Sequence, residues 1–297
     1  MSVRRAFVPA IGLTVALGLS ACAGSSATPT AATPTTVPAT TTTVAPTHLA
    51  VTRITETFVD HSRATVDPDP SHPLTLHAHG ALGDARKFTI LAGAWARHGY
   101  VVAVPTFPLT SDTSGGSDVI GDYVNQPADL HFVLDQVLHL AATPNTPLAG
   151  KIDTHHIGLS GLSLGGATAY GFGFNTCCHD PRITAVIIMS GIKLPFGSHP
   201  YVFDKPILIF HGTADPVIKY STAGPVYAAA ASPKYFVTLI GAGHAPSYEN
   251  TPDPHDGVVI ASTLDFWNAY LKGEAAGRAH LLTDAKRPGL SSIESAP

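Results

Sequence analysis

The chain has 297 residues, of which 44% are hydrophobic and only 13% charged, with a formal net charge of −4. That length suits one large domain with an appendage better than two domains. The mild negative charge argues against nucleic acid or an anionic membrane surface as an electrostatic partner, and the low share of charge points to an exported or surface protein.

Residues 1–21 read as an export signal: Arg4 and Arg5 precede a short apolar run from Phe7 to Leu19. The signal ends Leu19-Ser20-Ala21-Cys22, which resembles a bacterial lipobox. Cys22 is then the expected lipidated residue and mature N-terminus, the alternative being an ordinary cleaved signal with an incidental cysteine. Residues 22–47 are nearly all Thr, Ala and Pro, which cannot bury a core and stay solvated. They read as a tether holding a folded domain off the outer face of a bacterial membrane, or as the leader of a secreted protein. No second long apolar run follows, so no internal membrane span is expected.

The folded domain is expected over 48–275. A weakly alternating stretch over 51–60 suggests a first, antiparallel strand, and 74–80 a second strand. Phe88, Leu91, Ala92, Trp95 and Ala96 fall on one helical face, and 100–104 is again a strand. After Gly115-Gly116, Pro127 opens a helix with Leu130, Val133, Leu134, Val137 and Leu138 on one side. Strands follow over 156–160, 183–189, 206–210 and 235–240, and a last helix carries Ile260, Leu264, Trp267 and Leu271. Continuous apolar strands alternating with amphipathic helices mean an α/β fold, a mostly parallel sheet with helices on both faces. Residues 276–297 read as a polar tail of uncertain order.

The chemistry centres on Gly161-Leu162-Ser163-Leu164-Gly165. A serine on a sharp turn from strand to helix has strained backbone angles, and its neighbours need almost no side chain for the turn to close. The hydroxyl of Ser163 is then lifted clear of the sheet, in front of a helix N-terminus that favours developing negative charge.

A serine hydroxyl is a poor nucleophile until a base takes its proton, and the base needs an orienting acid. Enzymes with this turn order the three as Ser, Asp, His, each after its own strand. Asp215, in His211-Gly212-Thr213-Ala214-Asp215, follows the strand over 206–210, and His244, in Gly243-His244, follows the strand over 235–240. Ser163, Asp215 and His244 are therefore the candidate catalytic residues. His255 is a rival base, although it opens the last helix. His211 reads as structural, and Asp180 and Asp204 come too early to orient the base. Sixteen histidines, including the His77/His79 and His155/His156 pairs, invite a metal reading, but no spacing carries a zinc signature. No metal and no cofactor are expected.

Acyl transfer also needs donors for the oxyanion. The backbone N–H of Leu164 is one candidate. The other lies in His79-Gly80-Ala81-Leu82-Gly83, with Ala81 as first choice and Leu82 as second.

With His79-Gly80, the stretch Asp122-Tyr123-Val124-Asn125-Gln126-Pro127-Ala128-Asp129, the serine turn, the aspartate loop and Gly243-His244, the chain resembles the α/β-hydrolase superfamily over roughly residues 55–275. The likeness is greatest to bacterial dienelactone hydrolases, platelet-activating-factor acetylhydrolases and cutinase-like polyester hydrolases. It implies the α/β-hydrolase fold, the triad and an esterase or lipase activity, and leaves the substrate open. The alternatives are a hydrolase of another bond, either a peptidase or a dienelactone-type enzyme (which usually has a cysteine nucleophile), and a non-catalytic surface lipoprotein. The adjacent Cys177-Cys178 departs from the widely separated bridges of secreted cutinase-like enzymes. Adjacent Cα atoms lie about 3.8 Å apart, less than the usual disulfide span of about 4.4–6.8 Å. A bridge between them is nevertheless the expectation in an oxidising compartment.

Only sixteen residues, 190–205, separate two strands where a lid helix would have to fit, so no large lid is expected. The loop over 105–123, rich in Ser, Gly and Asp, is expected to give the cleft a polar wall. Together these imply short acyl esters, with exposed polyester chains alongside them.

Overall fold

Apolar runs such as ITAVIIM cannot leave either face to water, so they become strands covered on both sides. The computed structural model describes residues 71–112 and 119–296 and joins seven strands in one sheet. The export signal, Cys22, the tether and the expected strand over 51–60 lie outside these residues.

In chain order the elements are β1 (His72–Ala78), α1 (Thr89–Arg97), β2 (Val101–Ala103), α2 (Gln126–Ala142), β3 (Ile152–Leu162), α3 (Leu164–Phe174), β4 (Ile183–Met189), β5 (Ile207–Gly212), α4 (Ala223–Ala229), β6 (Lys234–Leu239), α5 (Asp256–Tyr270), α6 (Ala275–Asp284) and β7 (Ser291–Ala296). The sheet order is β2-β1-β3-β4-β5-β6-β7. Neighbours are parallel from β2 to β6, and β7 joins β6 antiparallel.

The period-2 alternation of side chains splits the core in two. Ile188 and Ile209 face one layer with Leu130, Val133 and Leu134 of α2, the apolar face of α3, and Val226 of α4. Ile187 and Phe210 face the other, with Leu91 and Trp95 of α1, Trp267 of α5 and Leu281 of α6. Trp95 meets Trp267 edge-on, ring centroids 5.8 Å apart, a geometry worth roughly 0.5–1.5 kcal/mol beyond burial. Helix α3 is buried on every side, as its apolar composition requires.

Strand β1 lies between β2 and β3, so connections leave it towards opposite edges of the sheet. Such a reversal opens a crevice at the C-terminal strand ends, where α/β sheets hold ligands. Residues 190–206, between β4 and β5, form a loop without a helix. Phe196 in that loop packs so tightly on α3 that a Cβ at Gly171 would lie 2.3 Å from its ring.

Two stretches differ from expectation. The residues expected as a polar tail fold into α6 and β7. Helix α6 buries Leu281 and approaches α5 until a Cβ on Gly277 would stand 2.6 Å from the Asp265 carbonyl. Strand β7 extends the sheet through pairs such as Val237 with Ile293. Helix α4 was not expected at all, because its seven residues include Gly224 and Pro225.

Candidate active site

The turn between β3 and α3 is set by crowding. A Cβ at Gly161 would lie 2.1 Å from the Gly165 carbonyl oxygen, and one at Gly165 would lie 2.1 Å from that of Ala78. Only glycine fits at either position. Ser163 takes φ 57° and ψ −116°, a strained conformation of the kind found at functional sites. Its amide donates to the Met189 carbonyl at 3.0 Å, which ties the turn to β4.

Ser163, His244 and Asp215 come together at the C-terminal ends of β3, β6 and β5. The Asp215 carboxylate is buried and can only accept, so His244 donates from Nδ1 to Oδ2 at 2.7 Å. That leaves Nε2 as an acceptor, 2.7 Å from Ser163 Oγ. Asp215 Oδ1 accepts from the amides of Val217 and Ile218 at 2.8 and 2.9 Å. Burial would raise the Asp215 carboxyl, but the bonds from His244 and the two amides outweigh it and hold it below the usual carboxylate range. It therefore stays ionised and keeps the imidazole in one tautomer.

His211 lies behind this pair. It donates from Nε2 to the Ile218 carbonyl at 2.9 Å, with Asp215 Oδ2 3.3 Å away. Burial lowers its basicity, so it buttresses the aspartate loop as a neutral ring. His255, the rival base, faces Asp253 and the Ile240 carbonyl instead of Ser163. Asp180 is bound to Arg182 and His131, and Asp204 to Lys205. Among the described residues no group of three His, Cys, Asp or Glu side chains is placed to hold a metal ion.

The two candidate oxyanion donors border the serine. Leu164 is the first residue of α3, so its N–H has no partner within the helix. On the other side, a Cβ at Gly80 would lie 3.1 Å from Ser163 Cβ. The Leu82 amide donates to the Thr110 carbonyl at 2.7 Å, which takes the second-choice donor out of play. The Ala81 amide has no hydrogen-bond partner among the described residues.

The orientation of the Ala81 amide has a local cause. The Gly80 carbonyl accepts from His79 Nδ1 at 2.7 Å and from the Gly83 amide at 3.0 Å. In a trans peptide the Ala81 N–H points the opposite way from that carbonyl. His79 Nε2 in turn accepts from the Phe107 amide at 2.8 Å, so the ring is neutral and fixed; burial lowers its basicity. Gln126 Nε2 donates to Thr110 Oγ1 at 2.8 Å, and Thr168 of α3 donates to Gln126 Oε1. All three side chains are fully buried. Sequence reading singled out Gln126 only within a motif and gave Thr110 and Thr168 no role; a polar residue at a helix start carries no signal of its partners.

The expected polar cleft wall rests on residues that are only partly described. The Ser/Gly/Asp stretch over 113–118 lies outside the described residues. The described part exposes Leu109, Val119 and Ile120, next to exposed Leu82. Backbone bonds tie Leu82 to Thr110 and Val119 to Leu109.

Cys177 and Cys178 are bridged to each other in the loop after α3. No helix among the described residues is long and apolar enough to cross a membrane. The chain matches no protein-family model and no curated protein, which leaves the geometry of the site to carry the chemistry.

Proposed function

We propose that this chain is an exported serine carboxylic-ester hydrolase of the α/β-hydrolase type, held at the outer face of the cell membrane by lipid on Cys22. The observation that carries the reading is the unbroken relay from Ser163 Oγ through His244 to Asp215, 2.7 Å at each step, beside two amides without partners among the described residues. Ser163 attacks the ester carbonyl while His244 takes its proton. The Leu164 and Ala81 amides stabilise the oxyanion, a contribution of roughly 3–4 kcal/mol per donor in related chemistry. As the tetrahedral intermediate collapses, the bond from the carbonyl carbon to the leaving oxygen breaks, His244 gives that oxygen its proton, the alcohol departs, and the acyl group stays on Ser163 Oγ. Water, deprotonated by His244, then releases the acid and regenerates Ser163. The reaction needs no cofactor.

With no helix between β4 and β5 to cover Ser163, the enzyme meets soluble esters and exposed polyester chains without interfacial activation. The exposed apolar group of Leu82, Leu109, Val119 and Ile120 moderates the short-chain preference that the loop composition implied. Each methylene it covers can add at most about 0.8 kcal/mol. A p-nitrophenyl ester series from acetate to laurate tests the reading. Saturable turnover without a jump at the micelle threshold is expected. Absence of ester turnover would leave a binding protein, and faster turnover of amide than of ester substrates would make it a peptidase.

A further inference from the structure

The loop that carries the base of the triad is tied to the aspartate loop at buried Ala242, whose carbonyl accepts from the Ala214 amide at 3.1 Å, and at the Gly241 amide, which donates to Thr213 Oγ1 at 2.8 Å. Cβ atoms built on Gly241 or Gly243 would meet nothing within 4 Å, and Gly241 takes φ +76°. The His244 ring bonds only Ser163 and Asp215 among the described residues. Its position therefore depends on how the loop is fixed, both at Gly241 and Ala242 and at its two ends.

Both ends meet one pair of side chains. At the start, the Ile240 carbonyl accepts from His255 Nε2 at 3.0 Å. At the end, Ser247 Oγ donates to Asp253 Oδ1 at 3.0 Å. His255 Nδ1 and Asp253 Oδ1 are 2.7 Å apart, and the His255 amide also donates to that oxygen, at 2.9 Å. His255 and Ser247 are buried. Asp253 is anchored in turn, its amide donating to Asp256 Oδ2 at 3.0 Å. Both His255 ring nitrogens face these two oxygens rather than Ser163.

We propose that Asp253 and His255 are positioning residues that hold both ends of the His244 loop and so fix the base against Ser163. The proposal rests on the catalytic reading for its effect on rate, but not for its effect on geometry. A misplacement of about 1 Å can cost about a hundredfold in rate, so loss of this anchor should lower turnover without abolishing it.

The test uses the full chain and its variants His255→Gln, Asp253→Asn and Ser247→Ala. Two quantities are measured in each: the far-downfield proton resonance of His244 Nδ1–H in its bond to Asp215, and kcat and KM for p-nitrophenyl acetate per fluorophosphonate-titrated site. His255→Gln and Asp253→Asn should broaden or erase the resonance. Each should also lower kcat per titrated site about tenfold to a hundredfold with KM little changed. Ser247→Ala frees one end only and should do the same to a smaller degree. It carries the test if either of the other two does not fold. An unchanged resonance and unchanged kcat per site would overturn the proposal, as would a loss explained wholly by fewer titratable sites. If wild type shows the resonance and the variants disturb it, but no ester is hydrolysed, the anchor stands and the esterase reading falls.

Discussion

The turn after β3 and the loop after β1 are neighbours at one edge of the sheet, yet they are held by different means. At the turn, backbone presses on backbone, with no room for a single methyl at Gly161 or Gly165. At the loop, shape depends on buried polar side chains: His79 on the Gly80 carbonyl, and Gln126 between Thr110 and Thr168. Steric fixation is all-or-none and indifferent to pH. Polar fixation is graded, and each of its members can be removed without filling space.

The sharpest way to break the comparison is at the turn. Gly165→Ala should give no folded, active protein, because the methyl meets the backbone of β1 rather than a movable side chain. Ser163→Ala should leave the fold intact and lower ester hydrolysis about 10⁶-fold. His244→Ala should match it, and Asp215→Asn should cost about 10⁴-fold. Circular dichroism beside p-nitrophenyl acetate turnover separates the fold effect from the chemical one.

At the loop the expected effects are partial. Gln126→Ala leaves the Thr110 and Thr168 hydroxyls short of a buried partner, at a stability cost of about 1–3 kcal/mol. Its kcat should fall about tenfold to a hundredfold, less than the roughly 10²–10³ lost with a whole oxyanion donor. A wild-type kcat in this variant would mean that the Leu82–Thr110 bond, and not the side-chain relay, shapes the loop.

One turn along the same helix, burial and the charge of Asp122 push the Asp129 carboxyl up to about 7. Its folded value lies above the unfolded one, so the unfolded chain gives up the proton first. Stability is full below about pH 4 and is lost as pH rises through about 7. Asp129→Asn should remove that slope and stabilise the protein at pH 8 by roughly 2–4 kcal/mol. Asp215 has the opposite sign: its lowered value makes its contribution present above the usual carboxylate range and lost only as pH falls through that lowered value. Denaturant melts of Asp129→Asn across about pH 4–8, and of Asp215→Asn from about pH 6 down to about pH 2, check the two signs. A steeper slope in Asp129→Asn would contradict this assignment.

The smallest effect belongs to the Cys177–Cys178 bridge, which closes almost no chain between its ends. Replacing both cysteines by serine should change stability by no more than about 0.5 kcal/mol. Alkylation of the intact protein without reductant should add nothing to the pair, whereas two adducts would show free thiols.

How much was legible in the sequence follows the same division. Ser163 and Asp215 stand near Gly161, Gly165 and Gly212, where tight packing requires glycine and so leaves a pattern in one dimension, and His244 was legible from its place just after a strand. Strands with continuous apolar runs, such as β4 and β5, were legible for a similar reason. The holding groups were not. Gln126, Thr110 and Thr168 act through partners 16 or 42 residues apart in the chain, and Asp253 through near neighbours in an irregular loop, so no regular spacing marks them. His255 was visible but read as a rival for the proton, because a histidine near a strand end looks the same whether it bonds a hydroxyl or a carbonyl. Strand β7 was missed because an edge strand is recruited through its backbone, and Ile293 is the one aliphatic residue in SSIESA.

The central claim is that His244 activates Ser163, and covalent labelling tests it most directly. Wild type and His244→Ala are treated with a fluorophosphonate, and the labelled peptide is mapped by mass spectrometry. A single adduct on Ser163 in wild type, formed orders of magnitude more slowly in His244→Ala, is the expected result. An adduct on another residue, no adduct at all, or equal labelling of the two proteins would contradict the account.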